Sequence, residues 1–125
     1  MLTVNDVARH WQLRPETVRR YIRDGELPSI TLGSRHRVEW QDVWALEDGT
    51  FPRGARMDRY REPLMSKRQI ADRLKVSIKT IERWVDVGMP TRSVFWNVRM
   101  HRQDAREWLN AELDLDLPED FFGDA

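Results

Sequence analysis

The stretch TVRRYIRDGELP, Thr17 to Pro28, returns in altered form as TIERWVDVGMP, Thr80 to Pro90. At a separation of 63 residues Val7-Ala8 corresponds to Ile70-Ala71, Leu13 to Val76, Thr17 to Thr80, Val18 to Ile81, Arg20 to Arg83, Tyr21 to Trp84, Ile22 to Val85 and Gly25 to Gly88. One deletion then changes the separation to 62, and Pro28 falls on Pro90, Arg37 on Arg99, Gln41-Asp42 on Gln103-Asp104 and Leu46 on Trp108. A match that holds register across a whole unit with a single gap is poorly explained by chance, and internal repeats decide the architecture before any motif does. The chain is therefore expected to form two similar small modules, residues 1–46 and 64–110. Between them lies EDGTFPRGARMDRYREP, residues 47–63, whose two glycines and two prolines read as a linker. An acidic tail, residues 111–125, completes the expected organisation.

Each copy has the same local plan. A Ser/Thr cap, Thr3 or Ser66, precedes a short helix marked by Val4, Val7, Ala8 and Trp11, or by Ile70, Ala71 and Leu74. A tight turn follows at Gln12–Arg14 and Lys75–Ser77. The second helix opens at Pro15, a residue suited to a first turn, or after Ser77 as cap, and stops at Gly25 or Gly88. Next comes an extended pair. SITLGSRHRV offers Gly33-Ser34 as its hairpin turn, whereas SVFWNVRM has no glycine, so its turn is less well marked. A last helix is expected from Gln41-Asp42 and Gln103-Asp104. Modules this small bury little surface, and the six tryptophans, Trp11, Trp40, Trp44, Trp84, Trp96 and Trp108, are expected to compensate as core residues.

The formal net charge of zero hides an uneven distribution. Residues 1–46 carry +1, residues 64–109 carry +5, and residues 110–125 carry −6. A positive body suits an anionic partner such as nucleic acid, although a solvated surface explains it equally well. No apolar run approaches the length of a membrane helix, and no secretory leader opens the sequence, so a cytoplasmic protein is expected. With no cysteine, disulfides and thiolate metal sites are excluded. His10, His36 and His101 lack metal-ligand spacing and no glycine-rich phosphate loop is present, so neither a cofactor nor enzymatic activity is expected.

Two helices on a tight turn followed by a small hairpin describe a winged helix-turn-helix: mainly α, with small β wings. At these residues the chain resembles the excisionase-type, MerR-like winged-helix family. The shared pattern is a Val/Ile-Ala first helix, a Thr-Val second helix with basic residues, Gly-x-Leu-Pro, a glycine-bearing wing, and an arginine before the last helix. LTVNDVARHWQLRPETVRRYIRDGELPSITLGSRHRVEWQDVWALE carries all of these; the second copy shortens Gly-x-Leu-Pro to Gly-Met-Pro and lacks the wing glycine. The resemblance implies two tandem DNA-binding modules. It includes recombination directionality factors, MerR-type regulators and the DNA-binding domains of some small terminase subunits.

A recognition helix packs one face inward and offers the other to the major groove. Val18, Tyr21 and Ile22 form the inward stripe, which turns Thr17, Arg20 and Glu16 outward; the second copy presents Thr80, Arg83 and Lys79. Arginine can read guanine through O6 and N7, so Arg20 and Arg83 are the expected base readers. Arg14, Arg19, Arg23, Lys67, Arg68 and Lys75 are expected on phosphates, with Arg35 and His36 at the wing tip. Arg37 and Arg99 either clamp phosphate or pair with a carboxylate inside the fold. Because Glu16, Asp24 and Glu26 surround the first recognition helix, the second copy is expected to supply more of the nonspecific affinity.

An extended 17-residue linker would reach roughly 56–61 Å, enough to place the modules on successive turns of duplex and to raise avidity. PRGAR, Pro52 to Arg56, is a weak match to a minor-groove arginine hook. The tail, NAELDLDLPEDFFGDA, is expected to be disordered, or else to dock a recombinase or RNA polymerase, or to cover the basic surface as a counter-charge. The leading expectation is an excisionase-like factor that binds tandem sites and bends DNA, as a monomer or a cooperative assembly. The alternatives are a transcriptional regulator of the same fold and a protein-interaction adaptor such as a phage packaging component.

Overall fold

A computed structural model of the chain describes residues 1–123. It divides into two units, Met1–Pro63 and Leu64–Ala125.

In the first unit, α1 (Val4–Trp11) begins at a reciprocal cap, in which the Thr3 hydroxyl accepts from the Asp6 N–H and the Asp6 carboxylate accepts from the Thr3 N–H. The hydrogen bond from the Thr3 backbone holds Asp6 below the usual carboxylate range, so this cap is complete at neutral pH and weakens as acid protonates Asp6. Gln12 ends the helix in the left-handed region at φ 56° and turns the chain into α2 (Pro15–Arg23). The two helices pack on each other, and Val7, Ala8, Trp11, Val18 and Tyr21 along them are buried. β1 (Ile30–Leu32) and β2 (Arg35–Arg37) form an antiparallel hairpin across Gly33-Ser34, with Gly33 at φ 65°. A bridge between Leu2 and Val38 ties the hairpin base to the segment before α1. The short helix α3 (Trp40–Ala45) adds Val43 and Trp44 to the core.

Residues 47–63 differ from the expected linker. They belong to the first unit, include the short helix α4 (Arg56–Arg59), and bury Glu47, Pro52 and Tyr60. Trp44 donates its indole N–H to the Tyr60 carbonyl at 3.1 Å, and Glu47 accepts from Trp11 and meets His10. Glycine and proline here shape a packed return of the chain, so the long tether and its reach no longer apply. In PRGAR, Arg53 lies 5.8 Å from the Phe51 ring and Arg56 bonds the Tyr60 hydroxyl, a local role.

The second unit uses the same devices at matching positions. β3 (Met65–Ser66) leads into α5 (Lys67–Leu74), whose cap is again reciprocal, between Ser66 and Gln69. Lys75, at φ 58°, turns the chain into α6 (Ile78–Asp86), capped by the Ser77 hydroxyl. β4 (Arg99–Met100) pairs with β3, Met65 opposite Met100, as Leu2 pairs with Val38 in the first unit. α7 (Arg102–Glu112) starts one residue earlier than its sequence signal and closes the core with Ala105 and Leu109.

The segment after α7 differs from the expected disorder. Phe122 is buried in the core formed by Met65, Ile70, Ile81, Met100 and Leu109, with Leu117 and Phe121 packed against it. Arg73 donates to the Phe121 carbonyl, Arg102 to the Phe122 carbonyl at 3.0 Å, and Arg106 to the Leu117 carbonyl at 3.2 Å. The tail is thus held by backbone carbonyls and two phenylalanines, while Asp114, Asp116, Glu119 and Asp120 stay exposed. Of the expected tail, Asp124 and Ala125 lie outside the described residues.

Candidate nucleic-acid interface

With Val18 and Tyr21 turned into the first unit, α2 presents Glu16, Arg19, Arg20 and Arg23 to solvent, with Thr17 half-buried beside them. The Arg20 guanidinium lies 5.6 Å from the Tyr21 ring centre, a contact that steadies an otherwise mobile side chain. Arg14, just before the helix, is also exposed and makes no capping bond. Across from α2 the hairpin offers Arg35, exposed, and His36 and Arg37, half-buried. A surface concavity brings Arg19 together with Arg35, His36, Arg37 and the first residues of α1, including Asn5. A second one shares Arg19 and His36 and adds Arg23 and Thr31. Several guanidinium forks therefore converge on one open face, an arrangement that suits phosphate. Arg37 donates to the His36 carbonyl at 2.9 Å, which leaves part of its fork for another acceptor.

Residues 1–43 match the family model of a helix-turn-helix domain. The matched segment holds α1, α2, the hairpin and every cation of that face. No curated protein matches the chain, and no solved structure does. No helix among the described residues is long and apolar enough to cross a membrane, and no group of histidines and carboxylates among them is placed to hold a metal ion.

The second unit presents its residues differently. Lys79 and Arg83 on α6 are exposed, and Thr80 is half-buried with its hydroxyl 3.5 Å from Arg83 and 3.1 Å from the Ser77 hydroxyl. The position of Arg19 is taken by Glu82 and that of Arg23 by Asp86. Lys67, expected on phosphate, instead donates to Glu82 at 2.8 Å. Arg68 and Lys75 remain exposed. Arg99 is half-buried and donates to the Val98 carbonyl at 2.8 Å, repeating the Arg37 contact; burial pulls its guanidinium below the usual arginine range. Arg73, Arg102 and Arg106 are engaged with the tail. The larger formal charge of this half is therefore largely spent inside the fold, and the geometry argues against the expectation that it supplies more nonspecific affinity.

The sequence leaves Asn5 unmarked and misplaces Trp96. Asn5 faces the cationic concavity, and only its place in the first turn of α1 could have suggested it. Trp96 is a correction: expected in a core, it is fully exposed at 101 %.

Proposed function

We propose that the chain is a sequence-specific double-stranded DNA-binding protein built from two tandem winged helix-turn-helix modules, with the first module supplying most of the phosphate grip. The carrying observation is the convergence of Arg19, Arg23, Arg35 and Arg37 beside an exposed Arg20 within the segment matched as helix-turn-helix. In this reading α2 lies in a major groove, Thr17 and Arg20 meet base edges, and the wing arginines hold the adjoining backbone. Lys79, Thr80 and Arg83 do the same for the second module with less electrostatic support, because Glu82 and Asp86 lower the field around α6. The finer role is that of an excisionase-like factor that bends DNA at tandem sites, working with a recombinase in the nucleoid.

A salt titration tests the general reading. Contacts to about six phosphates give a log–log slope of affinity against salt near −5. Truncating Arg19, Arg23 and Arg35 to alanine together should flatten that slope by roughly 2–3, whereas the same treatment of Lys67 should change it little. Arg20→Ala and Arg83→Ala should each cost about 1–3 kcal/mol of discrimination at the selected site, measured by competition between selected and scrambled duplexes. An unchanged footprint in the double variant removes the base-reader assignment. Bending is checked by end-to-end energy transfer on a duplex carrying the selected site.

A further inference from the structure

In the second unit the Arg92 N–H donates to the Arg99 carbonyl at 2.8 Å, and Val94 and Asn97 exchange backbone hydrogen bonds of 3.1 and 2.9 Å, closing a hairpin whose two central turn residues are Phe95 and Trp96. These are the positions of Gly33 and Ser34 in the first unit. Both Phe95, at φ 47°, and Trp96, at φ 70°, are left-handed, a conformation that such tight hairpin turns require and that bulky L-residues resist. The Asn97 carboxamide holds the turn by donating to the Val94 and Phe95 carbonyls at 3.0 and 3.2 Å. The strained turn has one visible product, an indole projecting wholly into solvent. Strain kept where glycine would relieve it suggests a function for the side chain it displays.

We propose that Trp96 is a stacking wedge, inserting its indole against a nucleobase of bound duplex DNA. The proposal rests on the DNA-binding reading and adds to it a contact that the first unit does not make. Three observations favour a nucleic acid over a protein surface. Between Asp86 and Asp104 the chain carries no carboxylate, so no acidic side chain of this segment itself opposes a polyanion. Trp96 stands alone, since Val94 beside it is buried and Phe95 half-buried, and a single ring suits stacking on one base better than the broad patch a protein interface needs. Finally, the counterpart tip in the first unit leads straight into Arg35, His36 and Arg37, which line the cationic concavity. Where that unit offers charge at its wing, the second offers an aromatic plane. An apolar side chain inserted at a base step unstacks and kinks the duplex, which supplies the bend a recombination factor needs.

The test uses the full chain and a duplex carrying a fluorescent adenine analogue beside flexible pyrimidine–purine steps. The wild-type protein should brighten the analogue on binding, and Trp96→Phe should retain most of the effect. Trp96→Gly should abolish the brightening and weaken binding about 5- to 150-fold, equivalent to ~1–3 kcal/mol. The double variant Phe95→Asn, Trp96→Gly should melt at a higher temperature than wild type while binding as weakly as Trp96→Gly, because its turn is unstrained. If wild type fails to bind duplex at low salt, the DNA reading and the wedge fall together. Binding by Trp96→Gly with wild-type affinity and full brightening overturns the wedge alone. So does a Trp96→Gly change confined to sedimentation, which would place Trp96 against a second copy, or a loss of fold.

Discussion

Glu47→Ala should unfold the first unit at temperatures where the wild-type chain is folded, with a loss of about 3–5 kcal/mol. The Glu47 side chain is wholly buried, and one of its oxygens lies 2.9 Å from the Trp11 indole nitrogen and 3.1 Å from His10 Nε2. Removing the carboxylate strands two buried polar groups in a core that is small to begin with. A unit of this size has little stability in reserve, since domains hold only ~5–15 kcal/mol in total. Trp11 and His10 lie on α1, so the pose of α1 against α2 goes with the carboxylate, and duplex binding should vanish with the fold. Glu47→Gln keeps an acceptor for Trp11 and should cost less. Thermal circular dichroism separates the cases: an alanine variant that melts with wild type would show that the buried triad is dispensable.

Phe122→Ala should destabilise the second unit by a comparable ~3–5 kcal/mol, the usual cost of emptying an aromatic site in a packed interior. Phe122 is 4 % exposed and its carbonyl takes a 3.0 Å bond from Arg102, so both ring and backbone anchor the segment. Neutralising Asp114, Asp116, Glu119 and Asp120 to their amides should leave stability within about 0.5 kcal/mol, because these side chains face solvent. Chemical denaturation of the two variants distinguishes a tail held by burial from one held by charge. A Phe122→Ala variant as stable as wild type would place the tail outside the cooperative unit.

Much of this fold was legible in the residues. The reciprocal caps at Thr3 and Ser66, the turns at Gln12 and Lys75, and the Gly33 hairpin all follow from local chemistry that acts within a few positions. The inward stripe of α2 follows from its period, and Arg20 and Arg83 are exposed as that period implies. What escaped depends on distant partners. Glycines and prolines in residues 47–63 signal irregular backbone, but only Trp44 and Trp11, brought close by the fold, reveal that Tyr60 and Glu47 are interior. The carboxylates of the tail point to a solvated segment, whereas Phe122 and the carbonyls facing Arg102 and Arg106 decide its place. The Phe95-Trp96 turn broke the glycine rule outright, and the Asn97 carboxamide that sustains it carries no sequence signature. Charge counting failed for Lys67 for a similar reason: Glu82 neutralises it from another helix.

The placement of Phe122 also bears on how the chain acquires its shape during synthesis. The first unit has all its interior residues by Pro63, so it can fold while translation of the rest continues. The second must wait, because its interior spans Met65 to Phe122 and stays open until that ring leaves the ribosome. During that interval Met65, Ile70 and Leu109 lack their final cover, and a stalled nascent chain would offer this half, and not the other, to chaperones and proteases.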